Sequence, residues 1–119
     1  MKKIHIAEDE VEIAQLLSAF FKRKGYQVSL SRTAEEAMNN IESDVPDFAI
    51  LDLFLEGNKS GLDILKFIKE KFPSIRTIVA SGIMDDPMQD LMKGNEPDIY
   101  LKKPYSLEDL SKTIENFVK

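Results

Sequence analysis

Five residues of this chain have both the chemistry and the setting of a reactive site: Glu8, Asp9, Asp52, Ser81 and Lys103, each at or just past the end of a short apolar run. Carboxylates held close together repel one another and raise their own pKa values unless a cation joins them. Hard oxygen ligands of this kind suit Mg2+, which also keeps several of its waters. A metal ion, a lysine and a hydroxyl around one carboxylate are the parts needed for phosphoryl transfer, where catalysis is mostly positioning and charge neutralisation. Asp52 would then be the nucleophile and Glu8 and Asp9 would hold the metal beside it. Lys103 would pair with one phosphoryl oxygen, and the Ser81 hydroxyl would donate a hydrogen bond to another. Each residue also has an ordinary reading. An acidic pair after a strand solvates a loop or favours the positive end of the next helix, and a lone serine there is a turn residue. It is the set that points to a site.

The elements that must position this set are read from apolar spacing. Residues 3 to 7 form a strand that runs into the acidic loop Glu8-Asp9-Glu10. His5, between two isoleucines of that strand, is expected to be a packed, hydrogen-bonded histidine without a functional role. Ile13, Leu16, Leu17, Phe20 and Phe21 recur at helical spacing, followed by Lys22, Arg23 and Lys24 at the negative end of the dipole and by Gly25 as a cap. A second strand fits Tyr26 to Leu30. Thr33 with Glu36 makes a capping-box pattern ahead of Ala34, Ala37, Met38 and Ile41.

Phe48-Ala49-Ile50-Leu51 is apolar without alternation, as in a central parallel strand covered on both faces, and it ends at Asp52. A helix from Gly61 to Pro73 turns Ile64, Leu65, Ile68 and Phe72 inward, and Thr77 to Ala80 is a buried strand ending at Ser81. A weaker helix is expected over Asp86 to Lys93, with Asp85, Asp86 and Asp90 opening and solvating it. Ile99-Tyr100-Leu101 is the last strand, and Ser106 caps a final helix with Leu107, Leu110, Ile114 and Phe117 on one face. The fivefold alternation implies a doubly wound α/β fold: a five-stranded parallel sheet with right-handed crossovers and five helices on its two faces. In such folds the cleft lies at the carboxyl ends of the strands, where the five chemical residues fall.

The bulk composition narrows the function further. At 119 residues and 43% hydrophobic content, the chain is expected to be one domain spanning 1–119. Its 16 basic and 21 acidic residues leave a net charge of -5, which argues against direct binding of nucleic acid or an anionic membrane. Cysteine is absent, which removes disulfides and thiolate metal sites, and the amino terminus has no long apolar run of signal or membrane type. A cytoplasmic location is expected.

With these residues in this order, the chain resembles the receiver domain of two-component response regulators over its whole length. The segments that carry the resemblance are Ile4 to Glu10, Leu51-Asp52-Leu53, Ala80-Ser81-Gly82 and Tyr100-Leu101-Lys102-Lys103-Pro104-Tyr105. It implies the flavodoxin-like strand order 2-1-3-4-5, Mg2+ dependence, and the Phe54 backbone carbonyl as a further metal ligand beside Glu8, Asp9 and Asp52. It implies a histidine kinase or histidine phosphotransfer protein as phosphoryl donor. It also implies a switch in which Ser81 moves toward the phosphoryl group, Tyr100 follows, and a face that binds a downstream protein or effector domain is altered. The chemistry would be self-phosphotransfer and autodephosphorylation, with the chain a monomer or weak homodimer. Of the adjacent Lys102 and Lys103, only one can enter the cleft from extended backbone, and the resemblance selects Lys103. Phe54 and Ile83 match the positions that flank the phosphoryl group, and their bulk predicts slow loss of that group to water.

Three departures from the family pattern stand out. Glu8 replaces the more usual aspartate, the loop from Phe54 to Gly61 is slightly long with Glu56 where proline is frequent, and Glu96-Pro97-Asp98 replaces Gly-Ala-Asp before the last strand. Glu8 and the altered loop leave a second reading open, a receiver-like interaction module that is not phosphorylated. A hydrolase using an aspartyl phosphate would want an acid/base Asp two residues after Asp52, where Phe54 stands. A nucleotide or flavin carrier would want a Gly-rich phosphate loop, where Glu8-Asp9-Glu10 stands instead.

Overall fold

The computed structural model describes residues 2–55, 57, 59–82 and 93–118. Strands β1 (Lys3–Ala7), β2 (Gln27–Ser31), β3 (Phe48–Asp52), β4 (Arg76–Ser81) and β5 (Ile99–Lys102) alternate with helices α1 (Val11–Arg23), α2 (Ala34–Ser43), α3 (Gly61–Lys71) and α4 (Leu107–Val118). The strands form one parallel sheet in the order β2-β1-β3-β4-β5, as the resemblance implied. Four helices are described where five were expected. Residues 86–92 of the helix expected over 86–93, with Asp85, Asp86 and Asp90, lie outside the described residues, and Lys93 stands in a turn.

The alternation of side chains along each strand splits the core in two. Ile4, Ile6, Phe48, Ile50 and Ile78 pack with Leu17 and Phe21 of α1 and with Leu110 and Ile114 of α4. Ala7, Ala49, Leu51 and Val79 pack on the other face with Ala37 and Ile41 of α2 and with Ile64, Leu65 and Ile68 of α3. β3 is therefore buried along its whole length, which is why its sequence lacks alternation.

The helix boundaries follow from local chemistry. Gly25 adopts φ +97° and its amide reaches the Lys22 carbonyl at 3.0 Å, a left-handed stop to α1. At α2 the Thr33 hydroxyl accepts from the Glu36 amide, but the returning bond goes from the Arg32 amide to Glu36, so the capping box closes one residue early. At α3 the box is complete: Leu62 N donates to Ser60 Oγ, and Ser60 N donates to Asp63 Oδ2 at 2.7 Å. Ser106 caps α4 through the Asp109 amide, as expected.

One apolar position of α1 departs from expectation. The buried face of that helix is Ala14, Leu17, Ser18 and Phe21, spaced i, i+3, i+4 and i+7, and Leu16 on the far side is 58% exposed. The five-residue apolar pattern is wider than one helical face can bury. Among the described residues, no helix is long and apolar enough to cross a membrane.

Candidate functional site

The carboxyl ends of β1, β3 and β5 bring Glu8, Asp9, Asp52 and Lys103 to one place. Glu8 begins the turn after β1 with its amide bonded to the Ser31 carbonyl at 3.0 Å, so its carboxylate leaves the sheet edge from a fixed backbone. Glu8 Oε2 accepts from the Glu10 amide at 3.1 Å, and Oε1 lies 3.5 Å from Lys103 Nζ. Asp52, the last residue of β3, accepts at Oδ1 from the Phe54 amide at 3.2 Å and at Oδ2 from Lys103 Nζ at 3.0 Å. Lys103 is placed by its own amide, which donates to the Ser81 carbonyl at 2.8 Å. Lys102, by contrast, is exposed, as the extended backbone required.

Carboxylate oxygens of Glu8, Asp9 and Asp52 all lie within 4.8 Å of one another. Three carboxylates thus face one ammonium. Burial pushes the Glu8 carboxyl up to about 7. The Glu10 N–H pulls it down, the Asp52 charge adds to the rise, and Lys103 draws it back again. For the Lys103 ammonium, burial acts to lower the pKa, but the hydrogen bond and charge of Asp52 and the charge of Glu8 outweigh it and the net shift is upward. The donors are all hard oxygens, crowded and in excess of the positive charge, and they fit a small divalent cation of the Mg2+ type.

Ser81 closes β4, is 1% exposed, and lends its carbonyl both to the Lys103 amide and to the Tyr100 hydroxyl, which donates at 3.1 Å. Tyr100 itself is half-buried against the α2/α3 core. The two expected switch residues are therefore in direct contact, through the serine's backbone. Phe54 is 52% exposed beside Asp52, while Ile83 lies outside the described residues, as does Glu56.

Two contributors escaped sequence reading. The Glu10 amide that holds Glu8 is a backbone group, and side-chain identity carries no signal for it. Tyr105 is half-buried, and its hydroxyl feels the charges of Lys103, Glu8 and Asp52; burial, the largest influence, raises its pKa. Its place two residues after Lys103 was the available signal. Asp98, before β5, accepts from the Thr77 amide at 2.8 Å while its own amide donates to Thr77 Oγ1 at 3.0 Å, a clamp that sets the register of β5.

A doubly wound α/β protein with its polar side chains gathered at the carboxyl edge of the sheet is what these observations define. Residues 4–115 match the model of the response regulator receiver domain. The chain belongs to the response regulator receiver domain family. It is similar to response regulator RR06 of Streptococcus pneumoniae, 30% identical over 98% of this chain and 52% of that protein. The chain spans about half the length of the curated relatives it matches.

Among solved structures it is similar to a CheY-like receiver domain protein from Methanospirillum hungatei, at TM-score 0.90 and 25% identity, covering 98% of this chain and 93% of that one. It is also similar to response regulator TrrA of Thermotoga maritima, solved with Mg2+-BeF, at TM-score 0.85 and 27% identity over 98% of both chains.

Proposed function

We propose that this chain is a phosphorylation-activated receiver switch in which Asp52 accepts a phosphoryl group in a Mg2+-dependent reaction. The observation that carries the reading is Lys103 Nζ, 3.0 Å from Asp52 Oδ2 and beside the Glu8, Asp9 and Asp52 carboxylates. Glu8, Asp9, Asp52 and the Phe54 carbonyl would hold the metal. When bound, it supplies positive charge that neutralises the cluster and the incoming phosphoryl oxygens.

An Asp52 carboxylate oxygen attacks phosphorus of a phosphohistidine as the P–N bond breaks. The electron pair leaves with the histidine nitrogen, which is protonated. Lys103 passes from Asp52 Oδ2 to a phosphoryl oxygen, and the Ser81 hydroxyl donates to another. Because Ser81 is joined to Tyr100, a shift of Ser81 toward the phosphoryl group is felt at the surface beside β5, where a downstream protein or effector domain reads it. The donor is a histidine kinase or histidine phosphotransfer protein, and the Phe54 ring hinders water from removing the group.

The second reading, an interaction module that is not phosphorylated, draws on Glu8, whose extra methylene lets it reach Lys103 at 3.5 Å and balance part of the charge within the chain. One experiment separates the two. Intact mass is measured after incubation with phosphoramidate or acetyl phosphate, with and without Mg2+, for the parent and Asp52→Ala. A Mg2+-dependent gain of one phosphoryl group, absent in Asp52→Ala, is expected. No adduct from either donor, with fold and metal binding intact, would favour the interaction module.

A further inference from the structure

Gly61, the first residue of α3, sits directly on the backbone that carries Asp52. Its amide donates to the Leu53 carbonyl at 3.1 Å. A Cβ at this position would lie 2.1 Å from the Asp52 carbonyl oxygen, 2.8 Å from its carbonyl carbon and 3.0 Å from Leu53 Cα. All three are backbone atoms, so no side chain can swing aside. Gly25 and Gly94 differ: each has positive φ, and a Cβ there would meet nothing within 4 Å. At Gly61 the requirement is for space alone.

Neither partner in this contact can easily retreat. β3 is paired on both sides, to β1 and β4, and is buried throughout. α3 is pinned by Ile64, Leu65 and Ile68, each 0% exposed, and its first turn is tied by the Ser60–Asp63 capping box. The atoms able to give are the end of the strand and the turn beyond it, Asp52, Leu53 and Phe54. Those residues carry the carboxylate and the amide bonded to it at 3.2 Å.

We propose that Gly61 is a positioning residue for Asp52: the missing side chain lets α3 rest on the Asp52–Leu53 backbone, and that seat holds the Asp52 carboxylate where Lys103 meets it. The inference rests on the phosphoacceptor reading above. Relief of the contact would take a displacement on the order of 1 Å, and misplacing a reacting group by that much costs on the order of 100-fold in rate. The same movement disturbs Phe54, whose carbonyl is assigned to the metal.

The test compares Gly61→Ala with Ile68→Val, a variant that loosens α3 from the opposite end. The initial rate of phosphoryl gain from phosphoramidate at saturating Mg2+, the unfolding midpoint, and the amide NMR shift of Phe54 are measured on both. Expected for Gly61→Ala is a 10- to 100-fold slower gain with a displaced Phe54 signal, and for Ile68→Val a parent-like rate and Phe54 signal at whatever stability it retains. A Gly61→Ala rate within threefold of the parent overturns the inference while leaving the phosphoacceptor reading intact. A parent that gains no phosphoryl group overturns both. If Gly61→Ala does not fold, Asp63→Ala decides, since it opens the capping box without adding bulk: a rate at least threefold below the parent is expected, and a parent-like rate overturns the seat.

Discussion

His5 in β1 and Glu8 just past its end are both almost wholly buried, at 1% and 3% exposure, and their surroundings treat them in opposite ways. His5 has a neutral partner for each ring nitrogen, Ser29 Oγ at 2.7 Å from Nδ1 and Ser31 Oγ at 2.8 Å from Nε2. Hydroxyls donate or accept as required, so the neutral ring is fully satisfied, and burial drives its pKa down to about 4. Glu8 has one backbone amide and a share of Lys103, in competition with Asp52, and its pKa is driven up to about 7. A buried polar group whose bonds are all met is part of the architecture. Glu8, whose charge is only partly balanced within the chain, is where a bound metal ion would be stabilising under the proposed function.

Removing the cation gives the sharpest test of that contrast. Lys103→Ala should slow phosphoryl gain by a factor on the order of 10² to 10³, since it removes a charge aimed at the oxygens where negative charge collects. Initial rates by intact mass with phosphoramidate check this. A fall of less than threefold would mean that the surplus charge beside Glu8 is not part of the chemistry.

The pH dependence of stability should carry the contrast with opposite signs. Between pH 4 and 6.5 the unfolded chain binds a proton at His5 that the native protein excludes, so stability rises with pH, by about 3 kcal/mol in full. Between pH 4.5 and 7 the native protein retains a proton on Glu8 that the unfolded chain has released, so stability falls as pH rises, by at most about 3 kcal/mol. Without metal the two slopes offset one another. Glu8→Gln removes the second, and its urea unfolding midpoint is expected to climb from pH 4.5 to 6.5 relative to that of the parent. Parallel curves for the two proteins would place Glu8 among the satisfied groups.

The smallest effects lie on the histidine side. Ser31 is 1% exposed, and Ser31→Ala strands a buried ring nitrogen at a cost of about 1–3 kcal/mol. Ser29 is exposed on the edge strand, where water can replace its hydroxyl, so Ser29→Ala should cost less than about 1 kcal/mol. Urea unfolding at pH 7 ranks them, and equal losses would show that solvent does not reach Ser29.

Much of this was legible in the residues. The uninterrupted apolar run Phe48 to Leu51 gave away a central strand, and the acidic and lysine positions at strand ends pointed to side chains that the structure brings together. Leu16 misled because hydrophobicity alone does not say which side of a helix faces the sheet; Ser18 took the buried place. The Ser60–Asp63 box went unread although Ser-x-x-Asp was its signal, whereas the seat at Gly61 had none, because it depends on a backbone nine residues earlier in the chain.

Local pattern accounts for the kinds and order of the elements, the carboxyl-edge placement of Glu8, Asp9, Asp52, Ser81 and Lys103, and the packed character of His5. These depend on periodicity, capping and alternation, which act within a few residues of one another. Tertiary structure decided which carboxylate Lys103 approaches more closely, that Glu8 is held by a backbone amide, that Tyr100 reaches the Ser81 carbonyl, and that α3 closes on Asp52 with no room for a side chain. Such distances are set by how segments distant in sequence meet in space, and a difference of one ångström separates a hydrogen bond from none.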